Sequence, residues 1–354
     1  MSSGIENCYL IETGYSFNTA DGKEFHRGDY IPYWQLPVFC KNRNEYSAFN
    51  SAYRYSDIEF DLSTLLYGGL YLDFDDEEDF EKVRQDAITS LSYFKIVYKI
   101  PEDNINIYFS GKKGLHILIP PEVMGIEPNN QLNLIFKYIA NSIKTYTPNK
   151  TIDLKIYDNK RLFRIPNTIH ESTGLYKIPI TSDELRNLSK DAIVNLAHNP
   201  RSIKHKKIIE ANKIANTQYL KAIQEFIKYS TEANKDFRSN KTISFIPPCI
   251  QSLLDNGAEI GQRNMSIAIL ASFFKRYGKS FNEACDIISD WNSKNTSPTG
   301  ETELKRTVRS MYNSDKSYGC SSISLYTDCD CSNCKIKINK EKNKNENKDS
   351  KNKS

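Results

Sequence analysis

Residues 67–76 read YGGLYLDFDD. Leu70, Leu72 and Phe74 alternate with Tyr71, Asp73 and Asp75, the period of a β-strand, in which residues i and i+2 share a face. No other stretch limits the fold as much. One face of this strand must be buried, and the other carries two carboxylates a few ångströms apart. Paired carboxylates repel, and a divalent cation between them relieves the repulsion. Asp with Mg²⁺ or Mn²⁺ is a match of hard oxygen with hard cation. The bland alternative is that Asp73, Asp75 and Asp76 open an acidic helix, whose dipole favours negative charge at its start. That suffices for Asp76, Glu77 and Glu78, and a DxD alone does not decide between the two readings.

The chain from 67 to about 180 has an α/β pattern. DEEDFEKVRQDAITSLSYF (76–94) sets Phe80, Val83, Ala87, Leu91 and Phe94 at helical spacing. INIYF (105–109) and LHILI (115–119), joined by SGKKG, predict a hairpin. A second helix is expected near 130–144, with Leu132, Ile135, Phe136, Ile139 and Ile143 on one face. TIDLKIY (151–157) alternates again and puts Asp153 opposite Ile152, Leu154 and Ile156. Three carboxylates on neighbouring strands can hold two metals, the arrangement used for in-line displacement at phosphorus.

Two further stretches suit phosphate. In SGKKGLH, Gly111 and Gly114 allow tight turns and let backbone amides approach an anion. Ser110 and His116 lie at the strand ends as hydrogen-bond donors, and Lys112 and Lys113 add charge at the tip. Downstream, Arg161 and Arg164 precede an extended run through Pro166 to Thr168 and His170. Arginine grips phosphate through two parallel hydrogen bonds. Taken singly, each stretch also reads as an ordinary surface turn or strand with scattered charge.

A length of 354 residues suggests two domains, and 39% hydrophobic content supports a real core. The net charge of +4 is uneven: residues 335–354 hold eight Lys against three acids, so this tail carries +5 and the remainder −1. Its Lys/Asn bias reads as a solvated tail in preference to a nucleic-acid arm. No signal peptide or membrane span is evident, so a soluble, cytoplasmic protein is expected. Past Pro247-Pro248 the pattern turns helical, with Phe281, Ala284, Cys285, Ile288 and Trp291 on one stripe. Gly278-Lys279-Ser280 is not a phosphate loop, because Phe273 stands where its first Gly is needed; Gly278 reads as a helix cap. Of eight cysteines, Cys249, Cys320, Cys329, Cys331 and Cys334 point to a metal or cluster site. Cys329-Asp-Cys331-Ser-Asn-Cys334 has the look of half a zinc ribbon without its partner CxxC.

Taken in order, YLDFD, SGKKGLHI and IDLKIYDNKRLFRIPNTIHESTGLYKIPI resemble the archaeo-eukaryotic primase superfamily over about residues 60–180. That family includes small primase subunits, plasmid and viral primase-polymerases, and the polymerase domain of bacterial end-joining ligases. The resemblance implies an α/β (α+β) primase-polymerase catalytic domain with three metal-binding carboxylates on a sheet. By similarity, Asp73, Asp75 and Asp153 would be catalytic and hold Mg²⁺ or Mn²⁺. Ser110, Gly111, Lys112, Gly114 and His116 would hold the incoming nucleotide, with Arg161, Arg164, Thr168 and His170 on its phosphates. Many relatives carry Ser where this chain has Thr168.

Pro247-Pro248-Cys249, the later cysteines and GQRNMSIAILASFFKRYGKSFNEACDIISDW resemble the C-terminal domain of the large primase subunit. That resemblance implies an all-α domain with a [4Fe–4S] cluster on Cys249, Cys320, Cys329 and Cys334, with Cys331 as an alternative ligand and zinc as an alternative metal. The expected organisation is a catalytic domain over 1–190, a basic helical connector over 191–243, the helical cysteine domain over 244–335 and a tail over 336–354. The expected activity is DNA primase or primase-polymerase, making primers on single-stranded DNA from nucleoside triphosphates. It would serve a mobile element, virus or archaeal-type replicon, beside a separate helicase and without a membrane. Arg263, Asn264, Lys275 and Arg276 read equally as template contacts or solvated helix ends. The alternatives are a gap-filling end-joining repair polymerase and a non-catalytic nucleic-acid-binding protein.

Overall fold

The computed structural model describes residues 8–19, 22–42, 47–58, 63–203, 211–235, 243–258, 262–296, 298–314, 317–324, 326–327 and 334–336. The chain divides into two compact units, Met1–Glu225 and Phe226–Ser354. In chain order the first contains β1 (Leu10–Thr19), β2 (Gly22–Pro32), α1 (Leu36–Lys41), β3 (Ala48–Tyr55), β4 (Leu66–Tyr67), β5 (Leu70–Phe74), α2 (Phe80–Tyr93), β6 (Asn106–Phe109), β7 (Leu115–Ile119), α3 (Pro121–Met124), α4 (Leu132–Tyr146), β8 (Leu162–Arg164), β9 (Ile178–Ile180), α5 (Ser182–Asn187) and α6 (Lys190–Leu196). Two antiparallel sheets result. One runs β2-β1-β3-β4 with β8 on β3, and the other runs β5-β7-β6-β9.

β5 has the facing its alternation predicts. Leu70, Leu72 and Phe74 are fully buried, whereas Asp73 is half-buried and Asp75 exposed. The alternating run 67–75 is nonetheless two strands in different sheets: β4 pairs with β3, and β5 with β7. The break falls at Gly68-Gly69, where a Cβ would stand 2.5 Å from the Ala52 carbonyl oxygen and 2.4 Å from that of Ile119. Only residues without a side chain let two backbones approach so closely.

α2 begins later than the acidic run. Asp79 caps it, its side chain accepting from the Glu81 and Lys82 amides, and Asp76 accepts from the Glu78 and Asp79 amides in the turn before. Asp73 and Asp75 therefore lie outside the helix. α4 and the β6–β7 hairpin form as expected, with Leu132, Ile135, Phe136, Ile139 and Ile143 buried. The expectation of a strand over 151–157 is corrected. Only Ile152 bridges, to Phe74, and the chain then turns, with Asp153 Oδ1 accepting the Lys155 amide at 2.8 Å. That side-chain bond offers the backbone an alternative to a sheet ladder. Asp153 thus sits beside the sheet and not on a strand of it.

α7 (Lys213–Lys235) carries the division between the units. In the second unit, α8 (Pro248–Asn256), α9 (Arg263–Arg276), α10 (Phe281–Ser293), α11 (Glu301–Tyr312) and the short α12 (Cys320–Ile323) surround an apolar core that includes Ile267, Leu270, Ile288, Trp291 and Val308. Cys285 is a core residue, as its stripe predicts. Gly278, at φ +89°, follows the end of α9, and Ser280 caps α10 in a reciprocal pair with Glu283. Cys329, Cys331 and the tail from 337 lie outside the described residues. Among the described residues no helix is long and apolar enough to cross a membrane.

Candidate functional site

The antiparallel register of β5 and β7 sets Asp73 opposite His116, with Asp73 Oδ1 3.4 Å from His116 Nε2. The segment around Thr151 is tied to the same strand end. The Asp75 amide donates to the Thr151 carbonyl at 3.1 Å, and the Asp153 amide to the Asp73 carbonyl at 2.8 Å. Three carboxylates from two stretches of chain thus gather where β5 ends. The Asp73 carboxyl is pushed up to about 7, first by burial and then by Asp153 and Asp75. His116 is buried, and burial, aided by Lys177 and Arg164, holds it well below its usual range, so it is neutral at physiological pH. Its Nδ1 is enclosed and has no hydrogen-bond partner.

The hairpin loop lies against the same end. The Ser110 amide donates to the Gly114 carbonyl, and the Gly114 amide to Ser110 Oγ, both at 3.0 Å. Gly111 turns the chain at φ +88°. A Cβ on Gly114 would meet the Phe74 carbonyl oxygen at 2.8 Å, so glycine lets the loop cross the tip of β5. Lys113 Nζ reaches Asp75 at 3.4 Å and Glu77 at 3.5 Å, while Lys112 is exposed at the tip.

Arg164 approaches the loop from β8. Its Nη1 donates to the Ser110 carbonyl at 3.3 Å, its Nε to Ser47 Oγ at 3.4 Å, and its guanidinium lies over the Phe49 ring. Burial pushes it down to about 10. Two long hydrogen bonds leave much of its donor capacity for an anion. His170 lies beside Gly111 and is lowered to about 4 by burial, with Arg164 and Lys112 adding to the effect. Two expected phosphate ligands have other partners. Thr168 is buried and donates to the Ile165 carbonyl at 2.8 Å; Arg161 pairs with Asp158 at 2.8 Å and donates to the Lys155 carbonyl at 2.8 Å.

Lys177 escaped sequence reasoning. It is fully buried, donates to the Arg164 carbonyl at 2.8 Å and lies 5.0–5.8 Å from the ring centres of Tyr71, Tyr108 and Phe163. Burial and Arg164 push it down to about 7. Its only signal is a lysine inside the apolar run LYKIPI.

Three carboxylates near one strand end are the hard-oxygen donor type that a divalent cation takes, and the Asp73 carboxyl, raised first by burial and then by Asp153 and Asp75, would be relieved by one. Each carboxylate meanwhile has a local partner, namely His116, Lys113 and the Lys155 amide. Among the described residues no three His, Cys, Asp or Glu side chains close around one point. In the second unit Cys249 and Cys320 line one small cavity of about 20 Å³ with Ser272 and Arg276, and Cys334 is buried.

Residues 251–316 match the family described as Primase C terminal 1 (PriCT-1). The matched segment lies within the second unit, begins just after Cys249 and ends before Cys320. No curated protein matches the chain. Among solved structures, the chain is similar to the polymerase domain from Mycobacterium tuberculosis Ligase D in complex with DNA, at 14% identity and a TM-score of 0.34, covering 54% of this chain and 82% of that one. It is also similar to primase RepB′, at 10% identity and a TM-score of 0.34, covering 91% of this chain and 94% of that one.

Proposed function

We propose that this chain is a DNA primase-polymerase, a nucleotidyltransferase that makes primers on single-stranded DNA from nucleoside triphosphates. One observation carries the reading: Asp73, Asp75 and Asp153 gather at the end of β5, beside a glycine loop and a half-buried arginine that suit a triphosphate. The primase-like segment 251–316 supports priming over gap filling. Asp73, Asp75 and Asp153 would hold Mg²⁺ or Mn²⁺, which when bound lowers the pKa of an attacking hydroxyl and offsets charge on the leaving pyrophosphate.

The chain's own residues do the rest. The loop from Ser110 to Gly114 brings backbone amides and Lys112 to the phosphates. Arg164 presents a guanidinium whose buried charge an anion would compensate. His116, kept neutral, places a ring nitrogen beside Asp73 as a hydrogen-bonding group and not as a second cation. His170 adds a polar rim beside Gly111. With no phosphate loop at Gly278-Lys279-Ser280, strand opening would fall to a separate helicase.

Extension of an annealed primer with Mg²⁺ or Mn²⁺ tests the chemistry. Asp73→Ala and Asp75→Ala should each abolish nucleotide addition while keeping the circular dichroism spectrum of the fold. Near-normal extension by either variant would overturn the reading.

A further inference from the structure

Asp86 lies in the middle of α2 and is fully buried. A carboxylate in that position is costly unless its oxygens are bonded. Oδ1 accepts from the Asn149 amide at 2.9 Å and from Asn149 Nδ2 at 3.2 Å. Oδ2 accepts from the Thr151 amide at 2.7 Å and from Thr151 Oγ1 at 2.9 Å. All four donors belong to the short segment that leads into Asp153. Between them Lys150 adopts φ +61°, an uncommon conformation for a residue with a side chain, and its Nζ donates to the Lys144 and Thr145 carbonyls at the end of α4. Beyond Thr151, the segment bonds to β5 on both sides of Ile152.

A continuous set of bonds therefore runs from α2 to the carboxylates. Asp153 is thus held from two sides, by its backbone bonds to β5 and by the Asp86 anchorage of the residues just before it. We propose that Asp86 is a positioning residue for Asp153, acting through Asn149 and Thr151 to fix the segment that presents the third carboxylate. The inference rests on the reading of Asp73, Asp75 and Asp153 as ligands of a divalent cation. Partners that orient metal ligands commonly change metal affinity 10–100-fold when removed.

The test is Mn²⁺ binding to the nucleotide-free full chain, followed by electron paramagnetic resonance, with a thermal melt of each variant. Thr151→Val keeps the shape and backbone amide but removes the hydroxyl donor, and should weaken Mn²⁺ binding about tenfold. Thr151→Ser restores the hydroxyl and should bind as the wild type does. Asp86→Asn should weaken binding at least as much as Thr151→Val, because one carboxylate oxygen becomes a donor facing donors. In primer extension, kcat should fall with Thr151→Val while the nucleotide KM stays unchanged, a split that loss of folded protein alone does not produce. Wild-type Mn²⁺ affinity in a normally melting Thr151→Val, with Asp73→Ala binding lost, would make the clamp a structural brace and overturn the inference. Should Asp86→Asn fail to fold, the Thr151 pair decides in the same way. Mn²⁺ binding that Asp73→Ala leaves intact would overturn the metal reading, and the inference with it.

Discussion

At Asp73, burial and two neighbouring carboxylates lift the carboxyl from its ordinary 3.8 to about 7. The folded, metal-free protein therefore holds a proton through pH values at which the unfolded chain has lost it. Stability from this group is fully present below about pH 4 and is lost as pH rises through about 7. Each pKa unit corresponds to about 1.4 kcal/mol, so the ionised carboxylate weakens the fold at pH 8 by at most about 4 kcal/mol. Asp73→Asn should melt higher than the wild type in EDTA at pH 8, with the gap closing toward pH 4. A variant no more stable than the wild type at pH 8 would mean that neither burial nor Asp153 and Asp75 strain this position. His116 makes a separate residue-level test. His116→Ala should weaken nucleotide binding more than binding of single-stranded DNA, measured by titration and by fluorescence anisotropy. Equal loss of both, or a lowered melt, would make the histidine structural.

At the scale of elements, the Gly68-Gly69 break divides one alternating run between two sheets. Gly69→Ala would put a methyl group 2.4 Å from the Ile119 carbonyl oxygen and 2.6 Å from Leu118 Cδ1. It should cost about 1–3 kcal/mol by overpacking, read from denaturant unfolding; an unchanged midpoint would show that β5 has freedom to shift. Where burial follows a clean period, the elements were legible: α2, α4, the β6–β7 hairpin and the facing of Asp73 all follow from spacing. Legibility failed where side-chain chemistry outweighs period. TIDLKIY alternates like a strand, yet Asp153 bonds the Lys155 amide and turns the chain. β2 is exposed or half-buried along its whole length and gives no apolar alternation to read, and β8 and β9 are three residues each. Asp86 and Lys177 are buried polar residues, and nothing in periodicity marks a charge whose partners come from distant segments. The shared face of Asp73 and Asp75 and the glycine loop between β6 and β7 follow from spacing, whereas the pairing of Asp73 with His116 and the partners of Arg161 and Thr168 emerge only from the fold.

For the whole molecule, the two units divide the task under the proposed function. The first would hold a nucleotide through the loop and Arg164, and starting a chain also requires a second nucleotide to be held in place without a primer. Holding both reactants supplies orientation that a primer otherwise gives. We propose that the second unit, which carries the segment matching the PriCT-1 family, supplies that platform, and that the cluster implied by the resemblance of its cysteines would sit on Cys249, Cys320, Cys334 and Cys329, or Cys331 in place of Cys329. Anaerobically purified protein should then be brown and contain iron. Cys320→Ser and Cys334→Ser should lose the colour and much of the unprimed synthesis while retaining primer extension. Stoichiometric zinc without iron would replace the cofactor but leave the division of labour. The central claim meets its most direct test in unprimed synthesis on single-stranded DNA with labelled nucleotides and Mg²⁺ or Mn²⁺. The wild-type chain should make short labelled products that are absent with Asp73→Ala. A wild type that extends annealed primers but makes nothing without one would contradict the assignment as a primase.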